Sequence, residues 1–191
     1  ITMVNPLLPA DDYRYYLEYT RARVAVVHQS LAQPFVEAVA SANHLRSVLV
    51  VDDGAAMEEQ VLDPRGRVKY FPFAETVESQ PDDCKGADTH RDDIAIWLFT
   101  SGSTGHPKGA VHLQHDLPYN TEVFAKRTMG VTENDLTVSV PKLFFGYATG
   151  TNLLFPLAVG GAPALFAERS TPEKLFEVIE RYRPTILTTV P

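Results

Sequence analysis

Positive charge is scarce in this sequence. Its 17 lysines and arginines stand against 24 aspartates and glutamates, a formal net charge of −7. A nucleic-acid-binding surface needs a basic face for the phosphate backbone, so that class of partner is set aside. The deficit does not exclude a nucleotide, which one lysine and a few backbone amides can hold locally. Cysteine is rarer still. Cys84 is the only one, which rules out an intramolecular disulfide and a thiolate zinc cluster and fits a reducing cytoplasm. It stands between Asp83 and Lys85 with no histidine near it in sequence, so an inert thiol is expected rather than a nucleophile.

Long hydrophobic runs are also missing. The most apolar stretch, residues 143–166, is broken by Gly146, Gly150, Pro156, Gly160, Gly161 and Pro163. It therefore reads as buried helix, turn and strand, not as a membrane span. Residues 1–9 lack a basic start and run into Pro6 and Pro9, so no secretory signal is read there and a cytoplasmic location is expected. What remains is an ordinary globular composition, 45% hydrophobic and 21% charged. At 191 residues there is room for one core or two small ones.

Along the chain, helical and extended patterns alternate. Residues 11–21 read as a helix with Tyr13, Tyr16, Leu17 and Thr20 on one face, and residues 23–28 as a strand. Ser30 is placed to cap a second helix, with Gln33 as its capping-box partner and a stripe of Leu31, Phe35, Ala38, Val39 and Ala42. Residues 47–51 form an apolar strand. This first segment, residues 1–51, predicts a parallel sheet with helical crossovers, an α/β fold. Residues 52–93 dissolve into charge, proline and glycine around a short apolar stretch at 68–73, and read as a variable connection.

Order returns over residues 94–191. Strands are expected at 94–100, 110–113, 136–141, 162–167 and 185–190, and helices at 116–127 and 146–157. A last helix begins with Thr171 as N-cap and Pro172 at its first position, carrying Leu175, Phe176, Ile179 and Tyr182 inward. The chain opens in an apparent strand, 1–4, and stops just after another, at 185–190, so a piece of something longer is expected.

One segment concentrates chemistry. Residues 100–109 run Thr-Ser-Gly-Ser-Thr-Gly-His-Pro-Lys-Gly. Gly102, Gly105 and Gly109 let the backbone approach an anion closely, and consecutive amides in such a turn form an anion-binding nest. Thr100, Ser101, Ser103 and Thr104 offer hydroxyls, Lys108 a compact positive charge. Composition alone leaves a plain polar loop open. The spacing excludes the common P-loop, because His106 and Pro107 separate Gly105 from Lys108 and Gly109 follows where a magnesium-binding Ser or Thr would stand.

The segment resembles the phosphate-binding motif of the adenylate-forming superfamily, which contains acyl-CoA synthetases, luciferases and peptide-synthetase adenylation domains. The runs Gly-Ala-Val-His-Leu-Gln-His-Asp at 109–116 and Val-Pro-Lys-Leu-Phe-Phe-Gly-Tyr at 140–147 are similar to those of benzoate–CoA ligases. So are residues 5–9 and 176–184. The resemblance implies a partial N-terminal (AMP-binding) domain, residues 1–191. The rest of that domain and the C-terminal domain would be its partners in the same chain.

It further implies that Thr100, Ser101, Gly102, Ser103, Thr104, Gly105 and Lys108 contact the β- and γ-phosphates of ATP, with Lys108 as catalytic clamp. Magnesium would assist, and coenzyme A would accept the acyl group from an acyl-adenylate. The same resemblance makes Phe145, Gly146 and Tyr147 a wall for an aromatic carboxylic acid, although aromatics beside a buried helix are also ordinary core. Gly146 and Ala148 stand where these ligases are expected to carry Ala and Gly. His112 and His115 are read as packing or capping residues, since no carboxylate pair completes a metal site. The adenine motif, the ribose-binding aspartate and the C-terminal lysine of the superfamily do not occur in these residues. A fatty-acyl ligase, a carrier-protein loader and a non-catalytic nucleotide-binding domain stay open.

Overall fold

The structure, a computed structural model, describes residues 1–52, 66–100 and 107–190. It divides into two compact units, one of Asn5–Ala87 and one of Ile1–Val4 with Asp88–Pro191.

In the Asn5–Ala87 unit, α1 (Ala10–Thr20) precedes β1 (Val24–His28), α2 (Ala32–Val39) and β2 (Ser47–Val51). β3 (Lys69–Pro72) follows, then α3 (Phe73–Glu78). The strands form a parallel sheet in the order β1-β2-β3, with Val24 opposite Ser47 and Ser47 opposite Lys69. The alternation of helix and strand therefore closes as anticipated, and the apolar stretch at 68–73 supplies the third strand. Tyr13 and Leu17 of α1 are buried, as are Phe35, Ala38 and Val39 of α2, Ala42, and Val48 and Val50 of the sheet. Tyr13 meets Phe35 edge-on at 5.9 Å, and its hydroxyl donates to the Pro6 carbonyl at 2.8 Å. That end of the phenol stays satisfied while its ring is dry.

The Ser30 cap does not form. The Ser30 hydroxyl lies 2.9 Å from His28 Nδ1, and Gln29–Leu31 makes a 3₁₀ turn, so the helix starts one residue after it with Leu31 in the cap position. A local side-chain partner has displaced the backbone one.

The larger unit opens on a hairpin. β4 (Ile94–Thr100) and β5 (Lys108–Leu113) pair antiparallel. The seven residues between the two strands are too few for the crossover that a parallel pair needs. Residues 1–4 contribute a single bridge, Thr2 to Trp97, rather than a strand.

Beyond the hairpin, α4 (Asp116–Asn120) runs into a π-helical stretch, Thr121–Met129. β6 (Leu136–Ser139) then leads to α5 (Gly146–Thr149), another π stretch at Gly150–Leu154, and α6 (Phe155–Val159). Pro156 has no N–H to give the Asn152 carbonyl, so an unbroken α ladder is impossible there. β7 (Ala162–Ala164), α7 (Pro172–Tyr182) and β8 (Ile186–Thr188) complete a parallel sheet in the order β7-β6-β8. Central β6 is the buried strand. Val138 packs with Ala164 and Val178, while the Thr137 hydroxyl donates to Asn152 Oδ1 at 2.8 Å.

Helix α7 is capped as read, Thr171 accepting from the Lys174 amide at 3.3 Å with Pro172 behind it. Its inward face differs: Val178 is the buried residue, Leu175 packs beside it, and Phe176 is 63% exposed and Tyr182 exposed. At 100° per residue, Phe176 cannot share a face with Val178.

Candidate active site

Strand β4 ends at Thr100 and β5 begins at Lys108, and these two are partners in register. Both are exposed. An antiparallel pair at this point brings their Cα atoms to about 5 Å. A hydroxyl and an ammonium group thus flank one mouth. Ser101, Gly102, Ser103, Thr104 and Gly105 lie outside the described residues.

The second group of predicted residues sits at the start of α5. A Cβ built on Gly146 would meet Leu98 Cδ1 at 3.0 Å, and Leu98 belongs to the strand that ends at Thr100. The strand that ends at Thr100 therefore packs directly on the turn that carries Phe145, Gly146 and Tyr147. That turn is fixed from within. Phe145 N–H donates to Lys142 O at 3.0 Å, and the Thr149 hydroxyl donates to Leu143 O at 2.6 Å.

The side chains on either side of Gly146 remain open: Phe145 is 48% and Tyr147 44% exposed. Their ring centroids are 6.1 Å apart, with Phe144 4.6 Å from Phe145. They form a surface with one phenolic tip. A small cleft between the hairpin and α5, bordered by Leu98, His112, Asp116 and Thr149, measures about 50 Å³. Phe145 and Tyr147 do not line it.

His112 and His115 are joined by a residue the sequence reading passed over. Asp116 Oδ2 accepts the Leu113 amide at 2.9 Å and lies 3.3 Å from His112 Nδ1, while Oδ1 lies 3.2 Å from His115 Nε2. On its other side the His115 ring reaches Arg91 O at 3.0 Å and Asp92 at 3.1 Å. His115 stands at the N-cap of α4 but its ring does not cap the helix. The spacing of His112 and Asp116, four apart, was the available signal. Among the described residues, no group of three or more His, Cys, Asp or Glu is placed to hold a metal ion.

The Leu113 amide, then the neighbouring histidines, hold the Asp116 carboxyl below the usual carboxylate range. A lowered folded value means that this stabilisation is complete above the unfolded value of about 4 and is lost as pH falls through the folded one. Asp116→Asn is therefore expected to destabilise the chain at neutral pH and to remove part of the loss on acidification. Urea midpoints from pH 7 to pH 3 check this; parallel curves for the two proteins would refute it.

The profile of the family described as AMP-binding enzyme matches residues 1–191, and the chain belongs to that family. Among its relatives, the benzoate–CoA ligase of Thauera aromatica is 38% identical over 188 residues, covering 98% of this chain and 33% of that protein. The 4-hydroxybenzoate–CoA/benzoate–CoA ligase of Rhodopseudomonas palustris is 34% identical over 189 residues, covering 99% and 33%. In structure, the anthranilate CoA ligase AuaEII in complex with anthranoyl-AMP superposes with a TM-score of 0.85 at 32% identity, over 96% of this chain and 34% of that one. The chain thus spans about a third of the length of these relatives. The parallel-sheet α/β architecture read from the sequence is the one they share.

Proposed function

We propose that this chain is part of an AMP-forming carboxylate–CoA ligase that activates an aromatic, benzoate-like acid. The observation that carries it is the hairpin register, which sets Thr100 opposite Lys108 while the same strand packs on the Phe145–Gly146–Tyr147 turn. The names of the aryl-CoA ligase relatives support the choice of acid.

In the reaction, a carboxylate oxygen attacks the α-phosphorus of ATP. The new O–P bond forms the acyl-adenylate as the bond to pyrophosphate breaks. The thiol of coenzyme A then attacks the acyl carbon and AMP leaves. The first step sets anion against anion, so charge neutralisation and alignment dominate its barrier. Lys108, with the hydroxyls and amides of residues 100–105, grips the β- and γ-phosphates and needs to transfer no proton. ATP enters as its magnesium complex, the ion riding on the phosphates as is usual for this cation. Phe145 and Tyr147 give the acid a flat apolar face, and Gly146 leaves room between them. The substrates are small molecules, and the other partner is the remainder of the same enzyme.

Adenine- and ribose-binding motifs are not among these residues, so the chain alone does not complete a turnover. No helix among the described residues is long and apolar enough to cross a membrane. The lone cysteine supports a cytoplasmic location.

Acid-dependent exchange of labelled pyrophosphate into ATP by the whole enzyme tests the proposal. Exchange is expected with benzoate and its ring-substituted relatives and not with alkyl acids. Exchange driven by fatty acids alone, or none with any acid, would sink it.

A further inference from the structure

A cavity of about 320 Å³ lies at the carboxyl ends of β6 and β7, lined by Ser139, Pro141, Leu143, Asn152, Leu165 and Phe166 together with Lys142. One long side chain ties its two rims. Lys142 leaves the chain just after β6, at the first residue of the turn that leads to Phe145. Its Nζ donates to the Phe166 carbonyl at 2.9 Å and lies 3.6 Å from the centroid of the Phe166 ring. Phe166 lies just beyond β7 and packs on the core of Val138, Ala164 and Val178.

The same side chain is therefore held twice by one residue, once by a charge-assisted hydrogen bond and once by a ring face. A second tie runs parallel to it, the Ser170 hydroxyl donating to Val140 O at 2.6 Å. Glu168 and Lys174 are the charged groups that bear on Lys142 from the segment after β7. They pair with each other at 2.8 Å, so neither replaces Phe166 as its anchor. Burial draws the ammonium toward its neutral form and Glu168 opposes that.

We infer that Lys142 is a positioning residue for the acid: its anchorage on Phe166 fixes the Lys142–Phe145 turn, and through it the presentation of Phe145 and Tyr147. This rests on the proposal that those two rings form the acid-binding wall. Lys142 itself touches no reacting atom. Its ammonium points into the cavity under β7, and what reaches the rings is the placement of their backbone. A turn freed to shift by even a fraction of an ångström misaligns the wall while leaving the phosphate grip on the hairpin intact.

The test is steady-state kinetics on the whole enzyme. Lys142→Met keeps the apolar stem and removes the cation. It is expected to raise the KM for the aromatic acid about tenfold while leaving the KM for ATP within about twofold. Lys142→Arg, which keeps a charged donor and stacks on a ring, is expected to restore most of the acid KM. A residue that merely supported the fold would lower the melting temperature and disturb both substrates alike, and arginine would not selectively rescue one of them. An unchanged acid KM in Lys142→Met, equal effects on acid and ATP, or no rescue by arginine would each overturn the inference. Should Lys142→Met fail to fold, Phe166→Leu, which keeps the carbonyl and removes the ring face, carries the test. It is expected to raise the acid KM in the same direction, and no change would overturn the inference.

Tyr147→Ala separates this from the reading beneath it. If Tyr147→Ala raises the acid KM and Lys142→Met does not, the inference alone falls. If Tyr147→Ala changes nothing, the wall itself is wrong and the inference falls with it.

Discussion

Lys108→Ala is expected to slow acid-dependent pyrophosphate exchange by the whole enzyme on the order of a hundredfold. The folded state should stay within about 0.5 kcal/mol of the parent. The two halves of this expectation have separate causes. Lys108 is the first residue of β5, opposite Thr100, and its side chain is exposed. An exposed ammonium contributes little packing, while its backbone pairing survives substitution. In the proposed reaction the same charge meets an ATP tail that must separate from the α-phosphorus carrying extra negative charge. A compact cation stabilises that departure more than it stabilises bound ATP, so the loss should appear in the adenylation rate rather than in ATP binding alone. Exchange kinetics and a thermal melt on the same preparation check both parts. Unchanged exchange would remove Lys108 from the reaction. A melt lowered in step with activity would recast it as a structural residue.

What the sequence made legible follows from what local residue types can encode. The parallel β1-β2-β3 sheet was readable because apolar runs at 24–28 and 47–51 alternate with a helical stripe of which Phe35, Ala38, Val39 and Ala42 are buried, while Leu31 is half-buried at the cap position. The loop at 100–109 stood out by its glycines, hydroxyls and lysine, and the structure places its two ends, Thr100 and Lys108, opposite one another. The aromatic turn was readable as a position, and the structure adds that Leu98 of the loop's own strand touches Gly146.

The misreadings share a physical origin in competition that lies outside the local pattern. Ser30 has the right chemistry for a cap, but His28 Nδ1 takes its hydroxyl. Helix α7 carries more apolar side chains than one face can hold, and only packing against Val138 and Ala164 selects Val178 over Phe176. The π stretches leave no trace in hydrophobic period, because they redirect backbone carbonyls rather than change which residues are apolar. Asp116 lies within one turn of its partners Leu113, His112 and His115, but the ring of His115 that it holds is fixed on its other nitrogen by Arg91 and Asp92, 24 and 23 residues away. Lys142 reads in sequence as a charge in an apolar run. Its anchor, Phe166, is 24 residues away and is set by the crossover from β6 to β7.

That crossover also makes Gly161 the position where the smallest substitution should be among the most damaging. Gly160, in the left-handed conformation at φ 86°, ends α6, donating its N–H to Leu157 O at 3.3 Å, and Gly161 donates to Pro156 O at 2.8 Å. The two bonds close the helix as a Schellman motif and aim the chain into β7. A Cβ on Gly161 would lie 2.7 Å from the Asp135 carbonyl oxygen and 3.1 Å from that of Thr132. Both are backbone atoms in a held loop. Asp135 O also accepts the Ala162 amide at 3.1 Å, and the Asp135 carboxylate binds Thr132 N–H at 2.8 Å and the Thr185 hydroxyl at 2.7 Å.

Nothing there can rotate aside, so Gly161→Ala must displace the start of β7 or the Thr132–Asp135 turn, at a cost of about 2 kcal/mol. Gly146→Ala is the internal contrast. Its Cβ would meet only the flexible end of Leu98 at 3.0 Å, and a loss under about 1 kcal/mol is expected. Urea midpoints of the two variants measured side by side decide the matter. If Gly161→Ala unfolds with the parent's midpoint, the loop is softer than its hydrogen bonds imply.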